Sequence, residues 1–79
     1  MSQNTVSLDK LKLFEKAVIV EYTDDLVSQQ LLEMGCLPGQ FIYINNVAPL
    51  GDPLSVVVAG STLSIRKQDA ATVIVSTLN

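Results

Sequence analysis

Residues 31–53 read LLEMGCLPGQFIYINNVAPLGDP. This stretch decides the fold, because it closes a helix, turns the chain and opens a sheet. Gly35 follows an apolar-spaced segment where a helix needs a residue tolerant of positive φ, and Pro38 stands where a helix cannot continue. With Gly35 at C′, Cys36 becomes C″ and should touch Leu31. Past Pro38 and Gly39, residues 40–47 (QFIYINNV) set Phe41 and Tyr43 on one face and Ile42 and Ile44 on the other, which describes a strand. Residues 48–53 (APLGDP) hold two prolines that cannot donate ladder hydrogen bonds and a Gly-Asp pair suited to a turn. They form a loop with Leu50 near its tip.

Upstream, the helix runs back from Met34 to Thr23, Asp24 and Asp25, three residues that each offer a capping oxygen. Val27, Leu31 and Met34 form an apolar stripe with Leu26 beside it, while Ser28, Gln29 and Glu33 face away. A helix of about ten residues is marginal alone, so its stability must come from laying that stripe on the sheet. Before it, residues 17–22 (AVIVEY) are β-branched and make the first strand, with Val18, Val20 and Tyr22 on one face and Ala17, Ile19 and Glu21 on the other. Residues 6–13 fit a lid that tucks Leu8 and Leu11 against the mouth of a barrel. Residues 1–5 are polar and expected to fray.

Downstream, residues 54–59, the pair Gly60-Ser61 and residues 62–66 read as a hairpin closed by a Gly-first two-residue turn. Counting outward pairs Ala59 with Thr62, Val58 with Leu63, Val57 with Ser64, Val56 with Ile65 and Ser55 with Arg66. One face is then apolar, and Val57 is the exception on the polar one. Residues 67–71 suggest one helical turn, and 72–77 (TVIVST) a last strand. The fold class that results is mainly β, a small, partly closed barrel of about five strands with one helix inserted between the first and second.

A chain of 79 residues makes one domain that buries only about 60–65% of its unfolded surface. With a single cysteine, Cys36, it has no internal disulfide to lean on, which suits a reducing, cytoplasmic setting. Hydrophobic residues make up 48% of the chain, enough to leave apolar surface for another chain or a second copy. The net charge of −3 opposes a phosphate backbone, so nucleic acid is not an expected partner. No apolar run approaches the roughly 20 residues of a membrane helix.

Chemistry is scarce. Histidine is absent, removing the usual general base and the usual metal ligand together. Cys36 has no histidine to activate it, and a place after Gly35 already explains it. Met34 and Cys36 offer two soft sulfurs, which do not make a metal site. Asp24 and Asp25 could grip a hard divalent ion, but helix capping accounts for them more simply. No catalytic residue, cofactor or metal ligand is therefore assigned.

Read together, LLEMGCLPGQ, then APLGDPLSVVVAG, then LSIRKQDAATVIV resemble the FeoA family, small cytosolic proteins that accompany the bacterial ferrous-iron transporter FeoB. The positions carrying the resemblance are Leu31, Leu32, Glu33, Met34, Gly35, Pro38, Gly39, Ala48 to Pro53, Gly60, Leu63, Ile65 and Arg66. It implies an SH3-like barrel with a helix after the first strand. It also implies a non-catalytic role in Fe(II) uptake, exercised on the cytosolic GTP-binding region of FeoB or on neighbouring loops. Many members carry arginines where this chain has Gln29, Gln30, Asn45 and Asn46, and an aromatic where it has Ser61, so docking here should not be charge-driven. The expected partner-binding positions are Leu26, Leu50, Gly51, Asp52 and Val57. Gly35, Pro38, Gly39, Pro53 and Gly60 are expected to make turns and caps. Two other readings of the same fold are a metal-responsive module like those attached to iron-dependent repressors and a nucleic-acid-binding barrel.

Overall fold

A computed structural model describes residues 4–77 of the chain. Six strands and two helices follow one another as β1 (Thr5–Ser7), β2 (Ala17–Tyr22), α1 (Asp25–Glu33), β3 (Phe41–Val47), β4 (Leu54–Val58), β5 (Ser61–Ile65), α2 (Lys67–Ala70) and β6 (Val73–Thr77), with a 3₁₀ turn at Leu8–Lys10 after β1. The strands form a single sheet in the order β1-β6-β2-β3-β4-β5, antiparallel at every step. The sheet coils without closing, and β1 and β5 are its edges.

One strand more is present than the sequence suggests. Residues 5–7 pair with Ser76, Val75 and Ile74 of β6, and the Thr77 N–H donates to the Asn4 carbonyl at 2.9 Å. Thr5 is thus held in a ladder instead of fraying, and the expectation for residues 1–3 lies outside the described residues. Three residues are too few to show a period of two, so only β6 as a template defines β1. Leu8 and Leu11 do tuck into the core, but residues 6 and 7 of the expected lid belong to β1 instead.

Two bulges curl the sheet. In β2 the register slips between Ile19 and Glu21, leaving Val20 unpaired and turning Tyr22 inward opposite buried Val73. In β3 it slips at Asn45, which sets Val47 opposite buried Leu54. An extra residue bends its strand and sharpens the twist. Strict alternation through residues 17–22 is corrected accordingly beyond Ile19.

The hairpin also departs from its expected register. Its two-residue loop is Ala59-Gly60, both at positive φ (53° and 79°), the conformation of a type I′ turn whose twist suits antiparallel strands. The pairs are Val58 with Ser61, Val57 with Thr62, Val56 with Leu63, Ser55 with Ser64 and Leu54 with Ile65. Every β4 residue has moved two places along its partner, which leaves each side chain on its expected face. The expected register would have set Leu54 against Lys67, whereas the observed one joins two buried residues, Leu54 and Ile65.

Helix α1 shows which capping oxygen is used. The Thr23 hydroxyl and N–H both donate to the Thr72 carbonyl, so Thr23 ties the start of α1 to the residue before β6 and Asp24 becomes the N-cap. Its Oδ1 accepts the Val27 N–H at 3.0 Å. At the other end, Gly35 (φ 89°) reverses the chain. The Gly35 N–H donates to the Leu32 carbonyl and the Cys36 N–H to that of Leu31, the paired bonds of a Schellman motif. Cys36 and Leu31 are both buried in one core cluster. Met34, expected on the core stripe, is half exposed. The chain reversal brings Cys36 into the cluster while Met34, at the C-cap, stays at the rim.

Candidate functional site: an apolar outer face

Alternation along β3 and β4 builds two different surfaces from the same residues' neighbours. Ile42, Ile44, Val56 and Val58 point inward, each at most 2% exposed. Phe41, Tyr43 and Val57 point outward, and Tyr43 stands directly opposite Val57. Phe41 is 62% exposed. These side chains, with Lys16 and the Ala59-Gly60 turn, line a groove of about 270 Å³. Phe14 extends the patch. Its φ of 63° and its N–H bond to the Ile44 carbonyl (2.8 Å) hold it against β3, where its ring tilts toward Tyr43 with centroids 6.4 Å apart. At 66% exposure it contributes little to the core. Among the described residues, Lys16 is the one charged side chain lining the groove.

The expected partner-binding residues fall on three elements. Val57 belongs to this groove. Leu50 occupies the tip of a turn closed by the Gly51 N–H bonding the Ala48 carbonyl at 2.7 Å and is 96% exposed. Leu26, on the first turn of α1, is 73% exposed. Asp52, which precedes a cis peptide bond to Pro53, has its carboxylate engaged within the fold, where Oδ1 accepts the Lys67 N–H at 2.9 Å. It thereby caps α2, whose own N-cap residue, Arg66, makes no side-chain cap bond. Pro38 and Gly39 form the turn between Leu37 and Gln40, with Gly39 at φ 94°. Sequence reasoning did not single out Phe14, Lys16, Phe41 and Tyr43. The shared face of Phe41 and Tyr43 was visible as an outward apolar pair opposite Ile42 and Ile44, a signal of surface with a use.

Reactive groups are muted. Cys36 is 1% exposed, and burial pushes its thiol up from the ordinary value. The Tyr22 hydroxyl donates to the Cys36 carbonyl, and burial, followed by the proximity of Cys36, pushes the phenol up to about 12. Both groups are neutral at physiological pH. Among the described residues no three His, Cys, Asp or Glu side chains converge, and no helix is long and apolar enough to cross a membrane.

The FeoA domain model matches residues 6–77. A FeoA-like protein from Clostridium acetobutylicum superposes with a TM-score of 0.88 at 29% identity, over 100% of this chain and 92% of that one. FeoA from Stenotrophomonas maltophilia, solved with zinc, superposes with a TM-score of 0.76 at 26% identity, over 95% and 89% of the two chains. That protein is described as a prokaryotic SH3-domain protein and a candidate activating factor of ferrous iron transport. IdeR from T. acidophilum contains a similar unit, with a TM-score of 0.81 at 25% identity over 99% of this chain but only 36% of IdeR. With the family model spanning nearly its full length and an SH3-like sheet carrying one inserted helix, this chain belongs to the FeoA family.

Proposed function

We propose that this chain is a non-catalytic accessory protein of bacterial ferrous iron uptake, acting in the cytoplasm by binding the cytosolic region of a FeoB-type transporter through its apolar outer face. The observation carrying this reading is the pair of aromatic rings, Phe14 and Phe41, each more than three-fifths exposed beside Tyr43 and Val57. A domain this small gains stability from every ring it buries, so two rings left outside serve something other than folding. Burying such anchors is how interfaces gain most of their affinity. Leu50 and Leu26, with Gly51 and Asp52 beside the former, are further contact candidates.

The test is co-purification with the cytosolic region of FeoB in its nucleotide-free, GDP and GTP-analogue states, followed by crosslink mapping. Capture above background, with crosslinks around Lys16, supports the reading. Capture that stays at background in all three states overturns it.

A further inference from the structure

The open edge of the sheet lies beside a second groove. Among the described residues strand β5 pairs only with β4, and its C-terminal half shares with α1 a groove of about 200 Å³ whose lining is half apolar (Val27, Leu31, Met34 and Ile65) and half polar, Arg66 and Asp69 included. The two-residue turn decides which backbone groups are free. The pair closing such a turn, Val58 with Ser61, is a hydrogen-bonded pair, so Val56 with Leu63 and Leu54 with Ile65 are as well. Thr62 and Ser64 therefore direct both N–H and C=O away from the sheet. Natural edges are blunted by charge, proline or covering chain. Ser61–Ile65 (STLSI) contains neither charge nor proline, and Ser61, Thr62 and Ser64 are exposed.

We infer that β5 and α1 form a docking cleft for a short extended peptide, which adds to the sheet antiparallel to β5 and sets an aliphatic side chain into the groove. Unpaired ladder groups select an extended backbone, and the apolar half of the groove lining selects the side chain that enters it. The peptide residue opposite Ile65 shares its face and enters the groove, while the residue before it lies opposite Arg66. The Arg66 Nε and one terminal nitrogen converge on a single oxygen of Asp69, both at 3.2 Å. The guanidinium keeps donors to spare, and its side chain is 66% exposed. The cleft therefore suits an acidic residue followed by a branched aliphatic one. A five-residue edge with so small a groove covers much less than the about 800 Å² per partner of a stable protein pair, which favours a short segment over a second copy.

The probe is acetyl-Thr-Glu-Val-Thr-Val-Thr-amide, titrated into the ¹⁵N-labelled full chain at millimolar concentration. Shifts concentrated on Thr62, Ser64, Ile65 and α1, with slowed amide exchange at Thr62 and Ser64, are the expected result. A second peptide, N-methylated at its second and third threonines, loses the two donors that would face β5 and should bind about tenfold or more weakly. Met34→Asp, which charges the groove wall, should weaken the unmodified peptide comparably. Ser64→Pro deletes an N–H that the β4 ladder does not use and should do the same; the N-methylated peptide makes that comparison without altering the protein. The inference is overturned by equal affinity of the two peptides, by shifts that gather on Phe41 and Tyr43, by no shifts at all, or by peptide-free self-association that protects the same two amides.

Discussion

The inner and outer faces of β3 and β4 are made from alternate residues of two strands, yet they behave as different materials. Ile42, Ile44, Val56 and Val58 are sealed, whereas Phe41, Tyr43 and Val57 meet solvent. Both sets are apolar, so hydrophobicity alone does not distinguish them. What separates them is side-chain direction, which flips at every residue of a strand, and the presence of a second layer on one side only. Leu8, Leu11, Val27, Leu31 and Cys36 cover the inner face and complete the core cluster, while nothing in the described residues covers the outer one to the same degree. The inner face should therefore answer to stability measurements and the outer face to binding measurements.

The largest expected effect tests the sealed side. Ile44→Ala deletes buried methyl groups at the centre of the sheet and should cost about 2–5 kcal/mol, close to the whole stability of a domain this size. Urea unfolding monitored by circular dichroism would show a midpoint shifted far down or no folded baseline. A loss under 1 kcal/mol would mean that the inner face is not the core.

Alkaline stability gives a smaller effect with a defined sign. Because the Tyr22 phenol is raised in the fold from 10 to about 12, the unfolded chain releases this proton first. The folded state then holds more protons, so stability is full below pH 10 and falls as pH climbs toward 12. The buried Cys36 thiol, also raised, acts in the same direction from a lower pH. Tyr22→Phe should flatten the decline between pH 10 and 12 while costing about 1 kcal/mol at neutral pH for the lost bond to the Cys36 carbonyl. Unfolding midpoints collected across that range for both proteins would decide it, and parallel curves would contradict the assignment.

Removing a cap is expected to cost about as much. Asp24→Ala strips the acceptor of the Val27 N–H and should lower stability by about 1 kcal/mol. The same change at Asp25, which lies inside the first turn, should cost less. If the two variants melt together, the cap has been placed one residue wrongly.

The smallest stability change should accompany the largest change in binding. Phe41→Ser acts on an exposed ring and should move the unfolding free energy by no more than about 0.5 kcal/mol, yet reduce capture by the cytosolic region of FeoB at least about tenfold. Equal capture by the variant and the parent would remove the outer face from the interface and leave Leu50 or Leu26 to be tested next.

Gly35 with Pro38 announced the end of α1, because no other residue types tolerate those backbone conformations so readily. The inward set of β3 and β4 was legible from alternation alone. The hairpin register was not, since a slip of two residues preserves every face and so leaves the hydrophobic pattern unchanged. Val20 and Asn45 gave no local sign of a bulge. The candidate site was legible at Val57 and invisible at Phe14, whose placement depends on a hydrogen bond to Ile44, 30 positions away in the chain.

Alone, the amino-acid sequence determined where α1 ends, which side chains of β3 and β4 share a face, and that no histidine chemistry is available, because these follow from local conformational preference and composition. Tertiary structure decided the sixth strand, the register, the choice of Asp24 over Thr23 as cap and the gathering of Phe14, Lys16, Phe41, Tyr43 and Val57 into one groove. Each of those rests on partners distant in the chain, whose pairing costs loop-closure entropy and is repaid only when the whole sheet has formed.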